Sequence, residues 1–194
     1  MVAHPFYSNN HKVTQVKGAE RKISIMKNQV WRNTVLHKSD LPFKAQRFID
    51  LLEIPVDKVT ITLLEADLNG DYIKIIEGDG VRGRYEWEER VLIEKDGTQR
   101  HLEWLKRTIY LINKVKVTTT IHELMHFYIR DNKIDYQSIV EAYLMDDLFI
   151  KVFSLSSVGQ FNWRNKHYED LLCEIVATYG RRGQFGKIAE LLNL

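Results

Sequence analysis

Residues 118–130 read TTTIHELMHFYIR, and this stretch constrains the chain more than any other. His122 and His126 are four positions apart, so a helix puts both imidazoles on one face, one turn apart. Ile121, Leu124, Met125 and Tyr128 add an apolar stripe, which predicts that the same helix is buried in a core. Buried histidines need partners. This spacing lets two imidazoles bind one zinc ion from the same side. Glu123 points about 100° away around the helix. From there it can reach a water on the ion's open position without being a ligand, and take that water's proton as it attacks a carbonyl. The expectation is therefore His122 and His126 as zinc ligands and Glu123 as the general base, which then hands the proton to a leaving amine. The plainer alternative is an amphipathic helix whose two histidines are capped or on the surface.

The chain has 194 residues, enough for one domain with a sizeable core. Seven of its 28 Lys/Arg but only two of its 26 Asp/Glu fall within residues 1–40. This divides the chain into a basic N-terminal arm, 1–40, and a domain, 41–194. The arm suits contact with nucleic acid or another acidic partner, or is a solvated leader. No apolar run approaches the roughly 18–20 residues of a membrane span, so no membrane association is expected. The first residues lack the apolar stretch of a secretory signal. A single cysteine, Cys173, allows no intramolecular disulfide and fits a reducing compartment, so a cytoplasmic location is expected.

Patterning gives the order of elements. SDLPFKAQRFIDLLEI predicts a helix capped by Ser39 or Asp40, with Pro42 in its first turn. A strand follows near Val59–Leu63, then an Asn69-Gly70 hairpin turn with a return strand at 73–76. RYEWEERVLIE predicts another strand, Asp96-Gly97 a turn, and 107–112 a short strand. After position 132 the pattern is helical. One helix is predicted over 135–155, one over 165–179 ended by Gly180, and a last one in GKIAELLNL.

HELMH resembles the zinc signature of the zincin metallopeptidases. Over residues 41–180 the order of helix, strands, active helix and a later acid-bearing helix is similar to the small glutamate-liganded zincins. FYIRDNK after the motif lacks the Gly and His of the longer metzincin signature. The resemblance implies metal-dependent peptide hydrolysis and a third protein ligand from a later helix.

Two glutamates compete for that role. Glu141 falls between Leu144, Met145, Leu148 and Val152 on a helical wheel, and a helix hairpin would bring it level with the histidines. Glu174 lies beside Cys173 and Ala177, small residues that let helices approach closely; zincin ligand helices resemble this, with a small residue three after the glutamate. Glu174 is preferred. Asp170 is expected to support or replace it, and Glu169 is the next residue to consider. His167 and Tyr179 are weaker candidates for stabilising an oxyanion, and Cys173 reads as a packing residue.

The expected fold is α+β and zincin-like: a small twisted sheet packed on the H-E-x-x-H helix, with a helical C-terminal half. The expected activity is zinc-dependent hydrolysis of a protein or peptide substrate. That substrate is expected to add as a strand along an edge such as Thr108–Ile112. The alternatives are a regulatory or nucleic-acid-associated protein on the same scaffold, or a structural subunit of a larger assembly, neither with peptidase turnover.

Overall fold

The computed structural model describes residues 12–19, 31–66, 83–94, 96–112, 114–145 and 157–194. Five strands form one mixed sheet: β1 (Lys12–Ala19), β2 (Trp31–Leu36), β3 (Thr60–Ala66), β4 (Gly83–Ile93) and β5 (Gln99–Ile112). Their spatial order is β1-β4-β5-β3-β2. β3 and β5 run parallel, Thr60 opposite Thr108 through Leu64 opposite Ile112, and the other pairs are antiparallel. Six helices are described: α1 (Phe43–Leu51), α2 (Val117–Asn132), α3 (Tyr136–Met145), α4 (Ser157–Arg164), α5 (Tyr168–Arg182) and α6 (Phe185–Leu192). The fold is thus mixed α and β; among the described residues every strand lies before residue 113 and every α-helix but α1 after it. None of the described helices is long and apolar enough to cross a membrane.

The segment set apart as a basic arm supplies both outer strands. β1 pairs with β4 and β2 with β3, so a boundary at residue 40 does not separate an arm from the sheet. Neither KVTQVKGA nor WRNTVL alternates cleanly between apolar and polar residues, which removes the usual signal of a half-buried strand.

β4 and β5 form a long hairpin closed at Asp96-Gly97, as the sequence predicts. Gly97 has φ +84°, a left-handed conformation that glycine adopts without strain. The Thr98 hydroxyl and backbone N–H both donate to Asp96 Oδ1, and together they lower the Asp96 pKa. β5 is 14 residues long rather than a short strand at 107–112. It is also interior. Residues 108–112 pair with β3 on one side and β4 on the other, so they offer no edge to a substrate strand. The predicted Asn69-Gly70 turn and return strand at 73–76 lie outside the described residues.

α2 is buried nearly all round, from Thr120 and Ile121 through Glu123–Ile129. A helix of that kind must be covered on several sides. The sheet supplies one cover: Tyr85, Ile109 and Leu111 are fully buried, and the Tyr85 ring meets Phe127 edge-on at 6.0 Å between centroids. α5 supplies another through Leu171, Leu172, Val176 and Ala177, and α1 a third through Ala45 and Phe48. The far end of α2 is held to the sheet by charge as well as packing. Arg107 of β5 pairs with Asp131 and lies over the Phe127 ring, and Arg130 lies over Trp87.

Two helix ends differ from expectation. Pro42 is the N-cap of α1 instead of lying in its first turn, and Lys38–Asp40 forms a short 3-10 turn before it. α5 runs past Gly180 to Arg182 and stops at Gly183, which has φ +76°. Gly180 lies inside the helix, where Ile121 of α2 occupies the space a side chain would need, so a glycine is required there for packing rather than as a stop. The helix predicted over 135–155 is described as far as Met145, and α4 follows at 157.

Candidate metal centre

α2 and the first turns of α5 face each other, and the ionisable residues of both meet there. The Nε2 atoms of His122 and His126 are 3.1 Å apart. Asp170 Oδ1 lies 3.5 Å from Nε2 of His126 and 3.9 Å from Nε2 of His122. Donors held 2.0–2.2 Å from a tetrahedral ion are separated by about 3.3–3.6 Å. The three separations, 3.1, 3.5 and 3.9 Å, bracket that range, so these atoms form a group that could hold one metal ion.

The other ring nitrogens face carboxylates too. His126 Nδ1 is 3.0 Å from Glu169 Oε1, and His122 Nδ1 is 3.6 Å from Glu174 Oε1. A carboxylate on Nδ1–H fixes the tautomer that leaves Nε2 free to bind a metal, and it raises the basicity of the ring. Asp170, expected in support, is the carboxylate measured against both Nε2 atoms, while Glu174, the preferred ligand, is measured against Nδ1 of His122. The two are one turn apart on the same face of α5. Which one meets the paired Nε2 atoms depends on how far α5 is shifted along α2, by about one turn, and no local pattern encodes that shift.

Burial alone would push the His126 pKa down. Cys173, Asp170 and Glu169 around it outweigh that and hold it well above the ordinary histidine value. Cys173, the single cysteine of the chain, is fully buried and beside His126. It fills space as the sequence suggests, and it also belongs to the wall of this site.

Glu123 is 6% exposed, a buried carboxylate on the helix that carries both histidines. Its side chain packs against the start of β4. A Cβ built on Gly83 would lie 2.8 Å from both Cγ and Oε1 of Glu123, and 2.6 Å from Thr119 Cγ2. Real side chains essentially never come so close, so position 83 fixes where the Glu123 carboxylate rests. The sequence read Gly83 only as part of a chain break in DGVRG; the signal it carried was a glycine immediately before an alternating strand.

The remaining candidates lie elsewhere. Glu141 is exposed on α3 and accepts a hydrogen bond from Gln137 Nε2 at 2.8 Å. The buried edge of α3 is Val140 and Leu144, while Met145, which helped place Glu141 on an apolar face, is 83% exposed. His167 is exposed at the N-cap of α5, its ring beside Phe161. The Tyr179 hydroxyl is 3.0 Å from that of Tyr143, far along α5 from Asp170.

Compared with protein-family models, with curated proteins and with solved structures, the chain has no significant match in any of the three. The site must therefore be read from its own geometry.

Proposed function

We propose that this chain is a zinc-dependent peptidase of the zincin type, in which His122, His126 and Asp170 hold the ion and Glu123 is the general base. The observation that carries the reading is the triangle of two Nε2 atoms and one Asp170 oxygen, with a carboxylate behind each histidine. Two nitrogen donors and one oxygen donor suit zinc, and three protein ligands leave one position open for water or substrate. The packing of α2 against a mixed sheet agrees with a zincin-like arrangement.

Zinc bound here would polarise a peptide carbonyl and make water acidic enough to attack it near neutral pH. The chain's own groups do the rest. Glu169 accepts the Nδ1 proton of His126, which keeps its Nε2 aimed at the ion, and Glu174 places a negative charge 3.6 Å from Nδ1 of His122. Glu123 accepts the proton of the attacking water on its carboxylate and releases it to the leaving amine. Gly83 limits where that carboxylate can sit.

The test pairs metal content with turnover on an unfolded protein substrate. The wild-type chain is expected to bind about one zinc and to hydrolyse the substrate. Glu123→Gln keeps the zinc and loses about 10²–10⁴-fold in rate. Gly83→Ala also keeps the zinc and loses about 10²-fold, because it moves the base by roughly an ångström. Wild-type protein that takes up no zinc, or a Glu123→Gln variant with full activity, would sink the reading.

A further inference from the structure

Five cations lie where the described residues provide no counter-charge. Lys44 and Arg47 are on α1, Arg181 and Arg182 end α5, and Lys187 begins α6. Neither 43–49 nor 175–189 contains an aspartate or glutamate. The fold gathers these residues around one junction. Lys44 Nζ donates to the Arg181 carbonyl at 2.6 Å, the Arg47 guanidinium lies 4.8 Å from the centre of the Phe185 ring, and Lys187 Nζ lies 5.8 Å from that of Tyr179. All five side chains are exposed.

Among the described residues some cations elsewhere are matched and others, such as Lys58, Arg100, Lys133 and Lys166, are not; what sets the junction apart is that five unmatched cations gather there. Lys38, Arg84, Arg90, Lys106 and Arg107 each pair with an aspartate or glutamate. None of the five at the junction does so among the described residues. Helix dipoles explain part of the pattern, since cations are favoured in the last turn, where Arg181 and Arg182 sit. They do not explain Lys44 and Lys187, which occupy first turns, where a positive charge is disfavoured. Phe43 adds an aromatic ring, 71% exposed, beside Lys44 and one turn before Arg47.

We propose that this face binds the phosphate backbone of a nucleic acid, with Phe43 available to stack on an unpaired base. Unmatched lysines and arginines on one surface are the electrostatic footprint of such binding, and base–aromatic stacking tolerates any sequence. A lipid surface fits less well. Membrane-surface helices insert an apolar face, and here Phe48, Ile49, Phe185 and Ile188 are already buried in the core. The proposal uses none of the residues of the metal centre and stands or falls separately from peptidase activity.

The experiment is fluorescence anisotropy of the full chain with a labelled oligothymidine and a labelled duplex, each about 20 units long, titrated with salt upward from about 50 mM. Binding to the single strand is expected, weakening as salt rises. Arg181→Glu with Arg182→Glu lowers affinity at least tenfold. The corresponding alanine pair makes the log–log salt dependence shallower by about one to two units. Phe43→Ala weakens binding of the oligothymidine and leaves the duplex unchanged. Circular dichroism checks that these surface variants fold. Three results would overturn the proposal: no binding at the lowest salt; affinity indifferent to the charge reversals, which moves the contact to another region such as residues 1–40; or binding of phosphatidylserine vesicles or polyglutamate without binding of either oligonucleotide.

Discussion

At its N-terminal end α5 carries Glu169 and Asp170; at its C-terminal end it carries Arg181 and Arg182. The helix dipole favours this sign at each end, by roughly 0.3–1 kcal/mol per exposed charge. The surroundings differ. The acids face α2 and converge with two histidines, whereas the arginines are exposed and meet no carboxylate among the described residues. The dipole accounts for the sign of the charge but not for its direction. Direction comes from what packs alongside: Leu171, Leu172 and Val176 bury α5 on α2, which turns Asp170 and Glu174 toward the histidines.

The sharpest way to break this comparison is at the acidic end. Asp170→Ala takes the proposed site from three protein ligands to two, and zinc affinity is expected to fall by well over 100-fold. Glu169→Ala and Glu174→Ala remove only support for a histidine, and each should cost about 10–100-fold. Competition with a chromophoric chelator measures all three, and a larger loss in Glu174→Ala than in Asp170→Ala would exchange their roles.

A smaller effect concerns protons. His126 has its pKa raised in the folded chain. In metal-free protein its contribution to stability is therefore complete below the unfolded value of about 6.5 and is lost as pH rises through the folded value. Thermal melts of metal-free protein should show this loss on the alkaline side, and His126→Gln should flatten it. Zinc reverses the trend, since ligands must be deprotonated and binding releases protons, so zinc affinity should rise with pH over the same interval.

The smallest effect belongs to the basic end. Arg182→Ala should leave zinc affinity unchanged and cost at most about 1 kcal/mol of stability through the dipole. A loss of zinc binding comparable to that of Asp170→Ala would show that the two ends are not independent.

What the sequence revealed follows the range of the forces involved. The identity of α2 and the pairing of His122 with His126 depend on spacing within one helix turn, and both were readable. That α5 brings acid to the site was readable from DLLCEIVA, with its small and apolar residues beside carboxylates. The choice between Asp170 and Glu174 was not, because it depends on the relative shift of two helices. Gly180 and Gly183 show the same limit. Both could end a helix; the first is a glycine because Ile121 packs against it, and the second, with φ +76°, is the one that ends the helix. Glu141 was misplaced because its wheel relied on Met145, which is exposed. The strands within residues 1–40 escaped notice because outer strands can be polar on both faces, and β5 looked like an edge because its parallel neighbour lies far away in sequence.

The site joins parts of the chain that are distant in sequence. His126 and Glu169 are 43 positions apart, and the intervening segment must come back on itself before the two halves meet. An ion held between α2 and α5 would act as a crosslink across that loop. Closing a loop of this length in the unfolded chain costs about 3–4 kcal/mol in entropy, much as a disulfide spanning it would. A chain whose single cysteine denies it a disulfide would thus gain a reversible clasp, closed by metal and opened by a chelator, that ties its H-E-x-x-H helix to its C-terminal helices.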